Sequence, residues 1–357
     1  MGKTDAPGFR LVREDLDAAL LERVADAHGT RVGLAGAVAA LDAGGRRARR
    51  AYAAHALGLR VRSALTWDRA DRRDPRWWPQ GVTGFPDAEG GRLLGRRLLL
   101  VSWYDKGAPG SGHGNAGSRI SVLDVDARRY VHVRLALPAL VDGGPELAPL
   151  KVHAGGVALS GDLLHVAATG RGIWVAHLDD LLDVAGELVL PVRYAWRVRT
   201  DEGVEPLRVS FCATTLVEEG RGPVSGPSLL TGEYARRPVV EEGRSPVSRP
   251  RLVHWPLSPT GELADTDGVV TPISVTDGVV QMQGAVEVPG RGLQVTVSKG
   301  PVSPGWLMTG RAPDLRRRAF AVPMGPEDLA FDPGSGRLWT VTEHPRRRWV
   351  CAVATAD

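Results

Sequence analysis

Residues 151–178, KVHAGGVALSGDLLHVAATGRGIWVAHL, constrain the architecture more than any other stretch of the chain. Three short apolar runs, VHAGGVAL, LLHVAAT and IWVAHL, are separated by turns at Ser160-Gly161-Asp162 and Gly170-Arg171-Gly172. Runs of this length, bounded by glycine and small polar residues, form consecutive antiparallel strands. Three such strands make most of one β-propeller blade.

The same order returns four more times. RWWPQGVTGF, RRLLLVSWYD and RISVLDV precede the first stretch; VSFCATTLV, PSLLTGEYARR and RLVHWPL follow it. MQGAVEV, LQVTVSKG and GWLMTG come next, and PEDLAFD, RLWTVTEHP and RRWVCAVA end the chain. The expected fold is therefore all-β: a single β-propeller of five blades, or six if 187–200 or 269–281 belongs to a further blade. Anchoring the inner strands near Gln80, Gly155, Ala213, Gly284 and Glu327 leaves only the last interval, 43 residues, close to a compact blade. Long loops or additional outer strands must fill the others.

Residues 1–58 read differently, as an N-terminal helical segment before a propeller over 59–357. Val12, Leu16, Leu20, Leu21 and Val24 recur at helical spacing over 11–28, and 34–56 is alanine-rich with a break near Gly44-Gly45. Such helices pack on the side of the ring or receive a protein partner. From Leu59 the period changes to two. LRVRSALTW is expected to close the ring against RRWVCAVATA, since an open ring leaves unpaired strand edges.

Composition excludes several classes. Lys+Arg 45 against Asp+Glu 41 gives a net charge of +4, and the arginine clusters are short and dispersed. Nucleic-acid binding needs a continuous basic face, so no nucleic-acid partner is expected. Two cysteines, Cys212 and Cys351, provide neither a disulfide framework nor metal-ligand spacing. The early residues contain no apolar leader and no long apolar run, so a cytoplasmic protein without a membrane partner is expected.

Gly112-His113-Gly114-Asn115-Ala116-Gly117 satisfies G-x-G-x-x-G, but the residues after it alternate as a strand instead of opening a helix. A pyrophosphate would have no helix N-terminus to rest on, so no organic cofactor is expected. His113 could reach a ligand from that loop. Phosphate-loop, zinc-protease and nucleophile-elbow motifs are absent.

Propeller topology selects the candidate site. Starts of inner strands and ends of second strands face one end of the central channel, so side chains distant in sequence converge there. The starts contribute Trp78, Gln80, His153, Gln283 and Glu327; the ends contribute Trp103, Tyr104, Arg171, Tyr234, Glu343 and His344. His153, Glu327, Glu343 and His344 are the expected catalytic groups, because imidazole and carboxyl groups move protons or hold a divalent metal. Trp78, Gln80, Trp103, Tyr104, His113, Arg171, Tyr234 and Gln283 are the expected substrate-binding groups. His132, His165, His177 and His254 fall in outer strands and read as structural, and Cys212 as a small buried hydrophobe.

Together RWWPQGVTGF, LLLVSWYDKG, RISVLDV, KVHAGGVALSGDLLHVA, GIWVAHLDDL, LLTGEYARR, RLVHWPL, QGAVEV and GPEDLAFDPGSGRLWTVTEHP resemble a family of actinobacterial β-propeller proteins, from about residue 67 to the C-terminus. The resemblance implies the fold, not a reaction. Its members are often secreted, and this chain departs from them in its beginning. By analogy of fold alone, the arrangement is also similar to streptogramin lyases, strictosidine synthase-like proteins and gluconolactonase-like hydrolases, which work at the channel mouth. The expected function is a small-molecule lyase, cyclase or hydrolase of specialised metabolism using acid/base or metal-assisted chemistry. The alternative is a non-catalytic propeller that binds a ligand or protein.

Overall fold

Alternating apolar residues and glycine turns pair into antiparallel sheets along nearly the whole chain. The computed structural model describes residues 8–52, 54–107, 115–217, 226–236, 250–312 and 314–357. Strands dominate and helices are few.

The N-terminal part contributes strand β1 (Phe9–Asp15), helices α1 (Ala18–His28) and α2 (Gly33–Gly44), and strand β2 (Val61–Thr66). Two units follow. The first contains β3 (Trp77–Thr83), β4 (Leu98–Asp105), β5 (Ser118–Asp124) and β6 (Arg129–Val141). The second contains β7 (Gly156–Ser160), β8 (Leu163–Ala168), β9 (Gly172–His177) and β10 (Glu187–Thr200). Their outer strands β6 and β10 pair in parallel, Leu188 with Val133 through Pro191 with Ala136. The result is one path of eight strands whose ends, β7 and β3, also touch, so this sheet approaches a closed barrel.

Three further sheets complete the chain. One contains β11 (Phe211–Val217), β12 (Gly226–Gly232), β13 (Arg251–Pro256) and β14 (Ser274–Asp277). The next contains β15 (Met282–Val288), β16 (Gly292–Val297), β17 (Pro304–Arg311) and β18 (Asp314–Met324). The last joins β19 (Pro326–Asp332), β20 (Arg337–Thr342) and β21 (Trp349–Ala354) to β2 from the other end of the chain. Thr66 faces Trp349 and Val61 faces Val353, which is the terminal closure expected from the sequence. The first strands β3, β7, β11, β15 and β19 contact one another in that order, and β19 returns to β3.

The N-terminal region departs from its expected helix over 11–28. Phe9 and Leu11 alternate with partly exposed residues, and β1 lies antiparallel along β10, from Phe9 opposite Thr200 to Asp15 opposite Tyr194. The helix begins only after Asp17, whose carboxylate accepts from the Ala19 N–H at 2.9 Å and so caps it. Helix α2 ends at the expected glycine break. Its Leu34, Ala37 and Leu41 join Leu100, Val122, Leu135 and Leu164 in one apolar cluster. No helix among the described residues is long and apolar enough to cross a membrane.

Candidate functional site

Three first strands carry an extra residue where they reach the axis. Pairing shifts by one between Pro79 and Val82 in β3, between Met282 and Gly284 in β15, and between Glu327 and Ala330 in β19. A bulge of this kind turns a side chain out of strict alternation and is frequent beside functional sites. Gln80, Gln283 and the Glu327-Asp328 pair lie at these three irregularities.

Asp328 occupies the axis itself. It is fully buried at φ 26°, and its Oδ2 accepts from Val82 N–H at 3.0 Å and Val157 N–H at 3.1 Å, tying β19 to β3 and β7. A Cβ on Gly284 would stand 2.3 Å from the Asp328 carbonyl carbon, so β15 also approaches here as only glycine permits. Burial pushes the Asp328 carboxyl well above its ordinary pKa despite hydrogen bonds from Val82, Leu329 and Val157.

Directly beside it, two carboxyl groups are each held by an amide from another strand. Gln283 Nε2 donates to Glu327 Oε1 at 3.0 Å, and Gln80 Nε2 donates to Glu343 Oε2 at 3.1 Å. Glu327 is only 5% exposed; burial, then the charges of Glu343 and Asp328, push its carboxyl well above the ordinary value. Glu343 is half-buried, and its Oε1 lies 3.6 Å from His344 Nε2. His344 in turn meets the Trp78 ring edge-on, centroids 5.7 Å apart, while Lys106 Nζ sits 4.0 Å from the centre of Trp78.

Tyr104 and His153 form the other wall, with ring centroids 4.3 Å apart and planes inclined by 31°. Burial, then Glu343 and Glu327, push the Tyr104 phenol up to about 12. His153 is open to solvent, yet the surrounding protein and the Lys106 charge lower its pKa. Near neutral pH the wall thus presents a phenol that keeps its proton and an imidazole shifted toward its neutral form, while burial shifts the Glu327 carboxyl toward its protonated form.

Not every expected residue is brought here. Trp103 is fully buried, packs against Trp67 at 4.7 Å, and its indole N–H donates to Ser121 Oγ at 2.8 Å. Its substrate-wall role is corrected to that of core filler, because alternation along β4 sends Trp103 outward when it sends Tyr104 toward the mouth. Arg171 donates to the Lys151 carbonyl at 3.2 Å, and Tyr234 is exposed with its backbone N–H bonded to Ser210 Oγ. Neither bonds or stacks with the Glu327–Glu343 group among the described residues. His113 lies outside the described residues. Gly155 and Gly156 admit the neighbouring β11 segment, since their Cβ atoms would stand 2.2 Å from Ser210 O and 2.5 Å from Cys212 N, and a Cβ on Gly155 would also stand 3.3 Å from His153 Nδ1.

His165 and His254 are buried as neutral groups with pKa values near 4. Burial likewise raises the Cys212 thiol well above its usual range, which removes it as a nucleophile. Among the described residues no cluster of three or more His, Cys, Asp and Glu side chains is arranged to hold a metal ion.

No family model matches the chain, and no curated protein matches it. Solved structures do. A gluconolactonase from Xanthomonas campestris is 15% identical, with TM-score 0.37 over 87% of this chain and 85% of that one. Glutaminyl cyclase from Myxococcus xanthus is 12% identical, with TM-score 0.36 over 87% of this chain and 98% of that one. A GH43_1 enzyme from Xanthomonas citri is 10% identical, with TM-score 0.42 over 85% of this chain and 91% of that one.

Sequence reasoning missed Asp328, Lys106 and Arg348. Arg348 is fully buried; it donates from Nε to Glu343 O at 2.9 Å and from Nη1 to Asp71 O at 2.6 Å, fixing the segment that carries Glu343. Lys106 could have been found, since it directly follows the second-strand end that supplied Tyr104. Nothing local marks Asp328 or Arg348 as axial and buried.

Proposed function

We propose that the chain is a five-bladed propeller enzyme that transforms a small organic molecule at the channel mouth by proton transfer, as a lyase, cyclase or hydrolase. Five first strands in mutual contact, the last returning to the first, support the blade number. The observation that carries the chemical reading is the opposed tuning of Glu327 and His153. Burial beside Glu343 favours the protonated form of Glu327, and the surrounding protein with Lys106 favours the neutral form of His153.

Such a pair is arranged for simultaneous acid and base work. Because Gln283 donates to Glu327 Oε1, the transferable proton belongs on Oε2. In an elimination, His153 takes a proton from carbon, the carbon–oxygen bond breaks as the double bond forms, and Glu327 protonates the departing oxygen. In hydrolysis or cyclisation, His153 takes the proton of the attacking hydroxyl, amine or water instead. Tyr104 donates a hydrogen bond to developing negative charge, and Trp78 with Lys106 shapes the adjoining wall.

The test is a pH–rate profile on a substrate found by screening lactones, glycosides and β-substituted acids. A bell is expected. Its acid limb lies below the ordinary histidine value of 6.5 and reports His153; its alkaline limb lies above the ordinary glutamate value of 4.5 and reports Glu327. Glu327→Gln should lower kcat by roughly 10²–10⁴-fold and remove the alkaline limb, and His153→Ala should do the same to the acid limb. Folded variants that turn over substrate at the wild-type rate would refute the reading.

A further inference from the structure

The described chain pairs many of its arginines: Arg31 with Glu22, Arg197 with Glu14 and Arg251 with Glu233, each at 2.7 Å. One groove gathers four arginines without such partners. It has a volume of about 730 Å³ and opens where β2 and the adjoining Arg49–Arg50 strand meet the turns at the far ends of β4 and β5. Arg50, Arg62, Arg97 and Arg128 line it, and none of the four guanidinium groups has a hydrogen-bond or ion-pair partner among the described residues. The one carboxylate in the lining, Asp126, is already engaged with Arg92 Nη2 at 3.0 Å.

Four like charges around one concavity repel each other and focus a positive potential into it, which a bound anion relieves. Guanidinium groups offer planar forks of donors that match phosphate oxygens two at a time. Apart from Ser63, the remaining lining is apolar and aromatic. Trp339 and Val350 are buried at its floor, and Tyr52 stands at its margin 85% exposed, an aromatic surface with no occupant of its own. The volume suits a ligand of a few hundred daltons.

We propose that this groove binds a nucleoside di- or triphosphate, its phosphates among the arginines and its base against Tyr52. The site is separate from the channel mouth. Arg97 directly precedes β4 and Tyr104 lies near that strand's other end, so at ~3.3 Å per residue they stand about 20 Å apart.

Titration calorimetry of the full chain at low salt, with ATP, pyrophosphate and adenosine as probes, tests the proposal. Saturable binding of ATP is expected, weaker binding of pyrophosphate, and none of adenosine alone. Arg97→Glu and Arg62→Glu, the latter at an exposed position, should each weaken ATP by about tenfold or more, the scale of a lost charge-assisted contact. Tyr52→Ala should weaken ATP while leaving pyrophosphate unchanged. The proposal is overturned by an absence of saturable ATP binding, by ATP affinity that Arg62→Glu leaves intact, or by pyrophosphate binding as tightly as ATP. Should Arg97→Glu melt early, Arg62→Glu alone decides, since Arg62 is exposed.

Discussion

Burial of the Glu327 carboxyl beside Glu343 means that the folded chain holds a proton there which the unfolded chain releases above about 4.5. The sign of the stability effect follows. A carboxyl whose folded pKa is raised contributes stability below its unfolded value, and this is lost as pH rises through the folded one. Glu327→Gln removes the titration while keeping an oxygen to accept from Gln283. The variant should therefore match wild type at pH 4 and exceed it at pH 8 by about 1 kcal/mol, the usual size of a stabilising change at a strained functional position. Urea denaturation at both pH values measures this. A variant less stable than wild type at pH 8 would show that the carboxylate is accommodated as an ion, and the acid role proposed for Glu327 would lose its basis.

Strand β1 and helix α2 are built into the strand sheets that follow them. β1 covers the outer edge of β10 over seven residues, and α2 puts Leu34, Ala37 and Leu41 into the cluster shared by both of the first two units. Removing them forfeits the burial of Leu34 and Leu41, worth roughly 1.5–3 kcal/mol each, and uncovers their partners Leu100, Val122, Leu135 and Leu164 together with the β10 edge. A chain beginning at residue 59, although it keeps β2 for closure, should be insoluble or lose its cooperative unfolding transition. A soluble product with a single sharp melt near that of the full chain would establish 59–357 as an independent domain. The sequence marked the second and third strands well because alternation and glycine turns are local signals. It misread 9–15, where Val12, Leu16 and Leu20 fit a helical period although Phe9 and Leu11 already alternate and the strand's partner lies some 180 residues away. A topological rule singled out Gln80, Tyr104, His153, Gln283, Glu327 and Glu343, and the structure sets Gln80 against Glu343, Gln283 against Glu327 and Tyr104 against His153. Asp328 escaped it because a bulge sends two successive residues inward, and strict alternation permits only one.

Over the whole molecule, two sets of buried groups oppose each other as pH changes. His165 and His254 are buried and His132 is partly buried, each with its pKa lowered to about 4, so between 4 and 6.5 the unfolded chain binds protons there that the folded chain does not. Glu287, raised to about 7 by burial, with Glu327 and Asp328, does the reverse above about 4.5. Stability changes with pH by the difference in bound protons between the two states, and between about 4.5 and 6.5 the three histidines and three acids largely cancel. Above 6.5 the unfolded histidines have lost their protons and only the acids remain, so stability should fall toward alkaline pH. Below 4 the histidine contribution is complete, but Asp71, held as a carboxylate against burial by His132, Arg119 and Tyr130, now loses stability as its unfolded counterpart takes up a proton that the folded one does not. The melting temperature should accordingly be flat near pH 5–6 and decline on both sides. Calorimetry from pH 3.5 to 9 traces the curve, and the double variant Glu287→Gln, Glu327→Gln should flatten its alkaline side while leaving the acid side in place. A melting temperature that climbs steadily from pH 5 to pH 8 would mean that the buried carboxyls are ionised in the folded chain, and with them would go the proton donor at the channel mouth.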